Sequence, residues 1–350
     1  MNSSLIDVLL SDQKKAANIY KPGPYWMKKT LSAIRELKNN GIVDFRASND
    51  KNTVATSFGD NSVIDGRRII ETTTLSNRIG LFILQHTSLK KLFDWQVNRT
   101  RQFYKELVNY RKNKLSTSNP ERFLELINNW KIVDSINFGC DSISRFEDKE
   151  YSTYYLSILD ILDNVEKNSS LKEVNSILEI GPGFGANLHL IEQNYPNIRK
   201  FIIIDIVPNL CVSTEYLKKI YSDSVIDYLS TRKMKEIKFK EDNSLEIFVI
   251  PPWEIEKIAS SSIDCFWNSN SFVEMNSEII KNYGKNFARM RSKKAKYVFT
   301  SYSEFDLKTT LDPNTIPNHF PDMSFKKWKK SRFVNNESEN YFMIGTLNDQ

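Results

Sequence analysis

An open α/β sheet, mostly parallel with an antiparallel hairpin at one edge, is the fold predicted for residues 171–350, behind a mainly helical domain at 1–170. Three observations carry that expectation. From Val174 onward short apolar runs alternate with segments long enough to return as helices, the arrangement a parallel sheet requires. Before about residue 170 the apolar residues recur at helical spacing instead. Between the two textures, a glycine-rich turn follows the first strand-like run and opens a helical pattern.

The elements follow in chain order. Trp26–Leu37 places Trp26, Leu31, Ile34 and Leu37 near one helical face, and Asn39-Asn40-Gly41 stops it. Residues 42–66, rich in Asn, Asp and Gly, read as short strands or an ordered loop, and helical patterning returns from Asn77 to Leu115. Pro120 starts a helix over Glu121–Trp130, and 150–166 is another amphipathic candidate. Buried strands are expected at Ser176–Ile180, Phe201–Ile206, Leu245–Ile250, Ile263–Trp267 and Tyr297–Tyr302. Arg332–Val334 and Tyr341–Leu347 supply the edge hairpin. In such a sheet ligands lie beyond the carboxyl ends of the strands, at the topological switch point.

Composition narrows the function classes. The chain has 350 residues, enough for two domains or one large one, and 40% of them are hydrophobic. Lys and Arg exceed Asp and Glu by 49 to 43, too small an excess for a dedicated nucleic-acid binder. Cys140, Cys211 and Cys265 lie far apart, and with only His86, His189 and His319 beside them a zinc cluster lacks ligands. The N-terminal residues have no signal-peptide layout, and no apolar run approaches the roughly 18 residues that span a bilayer. A reducing, cytoplasmic setting without stable membrane insertion is the expectation.

The chemistry concentrates at Leu178-Glu179-Ile180-Gly181-Pro182-Gly183-Phe184-Gly185-Ala186-Asn187. Glycines at alternate positions let the backbone turn tightly and let a ligand approach, with the following helix start offering free amide groups. Asp205, twenty residues after Gly185 and at the end of the second strand, can accept both hydroxyl hydrogens of a ribose. Together these make an adenosine-cofactor site. The turn also satisfies the loose dinucleotide pattern through Gly181, Gly183 and Ala186, so a nicotinamide cofactor is weighed. Against it stands Glu179, whose charge suits a cation better than a pyrophosphate.

These residues resemble the class I S-adenosylmethionine (SAM)-dependent methyltransferases, whose first motif is similar to this E-x-G-x-G-x-G and whose second ends in an acid like Asp205. The resemblance implies a Rossmann-like sheet, with Glu179, Gly181, Gly183 and Gly185 holding the methionine portion, Asp205 the ribose, and Ile206 and Asn268 completing the cofactor set. Further on, Asn268-Ser269-Asn270-Ser271-Phe272-Val273-Glu274-Met275 resembles the sugar O-methyltransferase family related to the nanchangmycin sugar methyltransferase, as does Asp205–Leu217 and, more loosely, Pro24-Tyr25-Trp26. That likeness covers 176–290 well and implies a sugar or glycan acceptor, free or nucleotide-linked, in polysaccharide biosynthesis.

Ile250-Pro251-Pro252-Trp253 is similar to the N-P-P-Y/W turn of amino-methyltransferases, but Ile250 has no side-chain acceptor for an amine. The proline pair reads as a rigid turn over the adenine, with Trp253 as a stacking candidate. Removing a proton from a sugar hydroxyl needs a base or a metal. Glu274 is one candidate, equally readable as an acid at a helix start. His319, in a proline-flanked loop, is the other, its imidazole titrating near neutrality. His189 reads as packing, and His86 has no assigned place. Asp264 lies inside a strand without a paired acid, so a metal-independent reaction is expected. Tyr20, Tyr25, Trp26, Phe45, Trp95 and Tyr104 can stack on sugars or fill core. Residues 281–296 carry seven basic residues and no acid, a solvated face or an attraction for an acidic acceptor. An NAD-dependent sugar oxidoreductase and a non-catalytic SAM-binding protein are the alternatives.

Overall fold

The computed structural model describes residues 3–42, 45–46, 120–131, 138–139, 144–146, 149–151, 153–302, 311–331 and 339–348. Cys140, His86, Trp95, Tyr104, most of 42–66, the 77–115 helical pattern and Arg332–Val334 lie outside them.

The N-terminal half opens with helix α1, Ser3–Lys15, which buries Leu5, Ile6 and Leu9 and ends on Lys14 and Lys15, where cations favour the helix dipole. Helix α2, Pro24–Asn40, starts with proline at its first position and stops at Gly41, whose φ of 62° lets its N–H reach the Leu37 carbonyl. Its buried stripe is Thr30, Ala33, Ile34 and Leu37. Leu31, expected on that face, is 74% exposed, because it lies about a third of a turn away from the row continuing through residues 30, 33 and 37. Helix α3, Pro120–Asn129, buries Phe123, Leu126 and Ile127. Strands β1 (Ser144–Phe146) and β2 (Lys149–Tyr151) form a small antiparallel pair. Helix α4 is Thr153–Asn168.

The main sheet begins with β3, Ser176–Ile180, followed by helix α5, Ala186–Asn194. Strand β4, Lys200–Ile204, leads into α6, Val207–Tyr221, then β5, Val225–Ile226, and the single turn α7, Tyr228–Thr231. Next come β6, Glu246–Ile250, and β7, Ile263–Ser269. Helix α8, Ser277–Met290, and strands β8 (Arg291–Tyr302), β9 (Met323–Ser331) and β10 (Glu339–Leu347) complete the order.

The eight strands lie in the order β5-β6-β4-β3-β7-β8-β10-β9. All pairs up to β8 are parallel, whereas β10 pairs antiparallel with both β8 and β9. The chain therefore winds outward from β3 to one edge and returns to β7 on its other side, which puts the switch point between β3 and β7. Alternate strand residues enter two cores. Ile177, Phe201, Ile203, Ile247, Val249, Cys265 and Trp267 pack with α1, α2, α4, α5 and α6, while Leu178, Ile180, Ile202, Ile204, Phe248 and Phe266 pack with α8 and Phe320. Burial on both faces explains why these strands read as continuous apolar runs.

Two features depart from the sequence reading. The hairpin partner of β10 is Met323–Ser331, whose lysines at 326, 327, 329 and 330 hide it from an apolar-run search. It is the sheet's edge, and charged side chains there oppose pairing with another chain. Strand β5 has two residues, too few to leave a pattern. No helix among the described residues is long and apolar enough to cross a membrane.

Candidate functional site

The turn between β3 and α5 is built from three glycines in left-handed backbone, Gly181 at φ 70°, Gly183 at 63° and Gly185 at 94°. The Gly181 amide donates to the Ile204 carbonyl at 2.9 Å, tying the turn to the end of β4. A Cβ at Gly181 would stand 2.3 Å from Ser271 Oγ, so the space that glycine leaves admits Ser271 from the turn after β7. At Gly185 a Cβ would meet Leu217 of α6 at 3.1 Å. At these two positions glycine also serves close packing of the turn on its neighbours.

Phe184, between the last two glycines, is fully buried. Its ring meets Tyr216 at 4.9 Å, Phe45 at 5.3 Å and Tyr154 at 5.4 Å, and the buried Arg46 guanidinium lies 5.0 Å from it. The N-terminal half thereby pins the glycine turn from behind. His189 of α5 joins the same packing, its Nδ1 2.9 Å from the Tyr216 hydroxyl, which in turn meets the Tyr155 hydroxyl. Burial holds the His189 imidazole down to about 4, so it is neutral and structural.

Three carboxylates gather where the strands end. Glu179, the fourth residue of β3, is buried, and its Oε1 accepts from Asn187 Nδ2 at 3.2 Å. Burial pushes its carboxyl up to about 8; the Asn187 hydrogen bond works the other way and the charge of Asp205 adds to the rise. Asp205, just past β4, accepts from the amides of Ile206 at 2.7 Å and Gly183 at 3.2 Å and from Asn209 Nδ2 at 3.2 Å. Burial nevertheless pushes it up to about 7, with Glu274 adding to the rise. Ile206 caps α6 in extended backbone. Glu274 ends the short turn after β7, and its Oε2 accepts from Trp26 Nε1 at 2.6 Å. The N-terminal half also reaches this end of the sheet through Tyr20, whose hydroxyl donates to Glu256 Oε1 at 2.5 Å.

Asn268, at the end of β7, is fully buried, and its carboxamide joins strand ends. Its Nδ2 donates to the Ile180 carbonyl at 2.8 Å and to Ser271 Oγ at 2.6 Å, while its Oδ1 accepts from the Phe272 amide at 3.2 Å. It frames the site from beneath. Glu179, Gly183, Asp205 and Glu274 are brought together by the hydrogen bond or charge each exerts on another; His319 is not brought to them. It closes the turn Pro313–His319 beside α8, its Nε2 3.4 Å from Ser277 Oγ and its carbonyl against Gly284. Burial lowers its pKa, Glu278 raises it and Lys281 lowers it.

Trp253 donates through Nε1 to the Tyr228 hydroxyl at 3.1 Å, which itself donates to Asp12 of α1 at 2.9 Å. Asp264 is spent on the Asn175 amide at 2.9 Å and Ser292 Oγ at 2.7 Å. Among the described residues no group of three or more potential metal ligands converges. Sequence reasoning missed the Trp26–Glu274 bond, since its partners lie 248 positions apart. It also missed Ser271, although a serine three residues after Asn268 is a visible signal.

The strand order, with β3 central and an antiparallel β10–β9 edge, is that of the Rossmann-like, mostly parallel sheet expected from the sequence. No family model matches the chain, and no curated protein matches it. Among solved structures it is similar to a phosphoethanolamine N-methyltransferase 2 from Haemonchus contortus in complex with S-adenosyl-L-methionine, at 11% identity and a TM-score of 0.36, over 55% of this chain and 52% of that one. It thus spans about half the length of that enzyme. It is also similar to a SAM-dependent methyltransferase from Aquifex aeolicus (14% identity, TM-score 0.35, 53% and 89% of the two chains). A third is the PH0226 protein from Pyrococcus horikoshii OT3 (13%, 0.39, 56% and 92%). Likenesses of this grade carry no more than the strand order already does.

Proposed function

We propose that the protein is a SAM-dependent O-methyltransferase whose acceptor is a sugar hydroxyl, in a glycan or a nucleotide-linked precursor. The observation that carries the cofactor half is the charge state of the crevice. Glu179 and Asp205 are both buried at the strand ends, near enough that each feels charge there, and what touches them are two carboxamides and two backbone amides. Two such carboxyls, raised to about 8 and 7, largely keep their protons while the crevice is empty, and a cation bound beside them is favoured by their ionisation. SAM brings a sulfonium and an ammonium, with no phosphate to oppose Glu179. Asn187 Oδ1, buried beside Glu179 without a hydrogen-bond partner, is an acceptor suited to an ammonium. A nicotinamide dinucleotide would instead bring a pyrophosphate to this acid-lined turn, so the oxidoreductase reading is disfavoured.

In this reading Glu179 faces the methionine portion and Asp205 the ribose, with free acceptor capacity beyond its three donors. In the same reading the N-terminal half, which meets Glu274 through Trp26, shapes the acceptor pocket. When bound, the cofactor supplies a methyl group already activated on sulfur. The chain's part is to align the acceptor oxygen with that methyl, where positioning is worth about 7–11 kcal/mol of the barrier. Glu274 takes the acceptor's proton, and Trp26 holds that carboxylate in place through its Oε2. The sugar half rests on the Asn268–Met275 string and its likeness to sugar methyltransferases. His319, placed beside α8, leaves the catalytic set in this proposal.

Equilibrium binding of SAM against NAD tests the cofactor, and a radiolabelled-methyl transfer screen over sugars and nucleotide sugars tests the acceptor. Methyl transfer to a sugar, lost in Glu274→Gln with SAM affinity retained, is expected. NAD binding without SAM binding would overturn the reading; SAM binding with no transfer to any acceptor would favour a non-catalytic partner.

A further inference from the structure

A cleft of about 500 Å3 runs along the outer stripe of α8, closed by the turn Pro313–His319 and the start of β9. That volume is within the range of about 300–1,000 Å3 typical of small-molecule sites. Its floor is apolar, formed by Phe287, Phe320 and Met323, all buried. Gly284 sets its depth. A Cβ there would stand 2.2 Å from the His319 carbonyl oxygen, which gives a packing reason for a mid-helix glycine that costs about 1 kcal/mol against alanine.

The rim is basic. Lys281 and Lys285 stand one helical turn apart, both exposed, and neither forms an ion pair with a described residue. Arg291 closes one end, held by Asp322 at 3.0 Å. The acids lining the cleft are Asp322, matched by that arginine, and Glu278. Ser277, Asn318 and the His319 ring add polar groups above the apolar floor. Two lysines one turn apart on one helix, about 6 Å along its axis, suit an anion with several oxygens.

We propose that this cleft binds a phosphate-bearing small molecule, its anionic group between Lys281 and Lys285 and its less polar part on the Phe287–Phe320–Met323 floor. The site is distinct from the carboxylate crevice and does not depend on the methyl-transfer reading; either stands without the other.

The imidazole of His319 is the reporter, facing Glu278 and Lys281 with Lys285, Arg291 and Asp322 on the same rim. In the full chain its NMR signal is assigned with His319→Gln and followed during titration with inorganic pyrophosphate at constant ionic strength. Saturable movement of the signal and a rise in the His319 pKa are expected, since a bound anion favours imidazolium. Lys281→Ala/Lys285→Ala should weaken that response about tenfold or more, and the double Lys→Arg variant should keep it. A signal that pyrophosphate leaves unmoved, that acetate or chloride moves equally, or that is unaffected by the double alanine variant would overturn the proposal.

Discussion

Among the described residues, two groups of buried carboxylates, one on α4 and one in the crevice, are balanced in opposite ways. On the outer side of α4, Asp160 and Asp163 are met by cations: Arg122 reaches Asp160 at 2.6 Å and Asp163 at 2.7 Å, Lys167 reaches Asp163 at 2.8 Å, and Lys330 of β9 reaches Asp160 at 3.5 Å. Burial pushes the Asp163 carboxyl up, yet bonds from Lys167, Trp130 and Arg122 outweigh it and hold it below the usual range. In the crevice, Glu179 and Asp205 are as deeply buried, but amides and carboxamides take the place of cations, and both carboxyls are raised. The first group is complete as it stands and ties α3, α4 and β9 together. The second is complete only when something positive occupies it. A fold that can neutralise buried acids with arginine, and does so on one side, leaves that to protons where the strands end.

The sharpest way to break this contrast is to remove the cation from the completed group. Arg122→Ala should cost about 3 kcal/mol of stability in denaturant unfolding, the low end for a broken buried pair because Lys167 and Lys330 stay beside the aspartates. A loss below about 1 kcal/mol would put the pair among ordinary surface bridges.

In the crevice the corresponding loss falls on the ligand. Asp205→Ala should weaken SAM binding by about 1.5–3 kcal/mol, measured by calorimetry. Unchanged affinity would remove Asp205 from the cofactor site.

The next effect concerns pH. The native state holds protons on Glu179 and Asp205 that the unfolded chain releases near pH 4, so the ligand-free protein loses stability as pH rises toward about 7 and 8. The slope is about 1.4 kcal/mol per pH unit for each group between its unfolded and folded pKa. Asp163, whose pKa is lowered, acts in the opposite sense and matters only below about pH 4. Thermal melts from pH 5 to 8.5 should show the decline, and Glu179→Gln should flatten it. A melting point that climbs across that range would contradict the raised carboxyls.

The smallest effect comes from Trp26→Phe, which keeps the ring and removes the donor to Glu274. Stability should change by about 1 kcal/mol and SAM affinity by less than about twofold, while methyl transfer falls and the limb of its pH profile assigned to Glu274 moves upward. An unchanged profile would reduce Trp26 to packing.

Much of the sheet was legible because β3, β4, β6 and β7 are buried on both faces, which forces uninterrupted apolar runs. Edge strands are free of that demand, so lysine-laden β9 and two-residue β5 escaped notice. The glycine turn stood out because left-handed backbone at 181, 183 and 185 strongly favours glycine. What glycine was for at 181 was not legible, since Ser271 fills its space from a distant turn. His319 is correctly a loop residue after β8, but sequence cannot say toward which side of α8 that loop folds. Trp26 read as one aromatic among many, and only the fold shows its indole meeting Glu274.

The central claim is that the crevice carboxylates await a cation, and SAM binding measured by calorimetry at pH 6 and pH 8, in buffers of differing ionisation heat, tests it most directly. Proton release on binding and affinity more than about a hundredfold tighter at pH 8 are expected, because Glu179 must ionise to receive the positive charge and Asp205 to accept from both ribose hydroxyls. Absence of binding, or an affinity that ignores pH with no proton released, would contradict it.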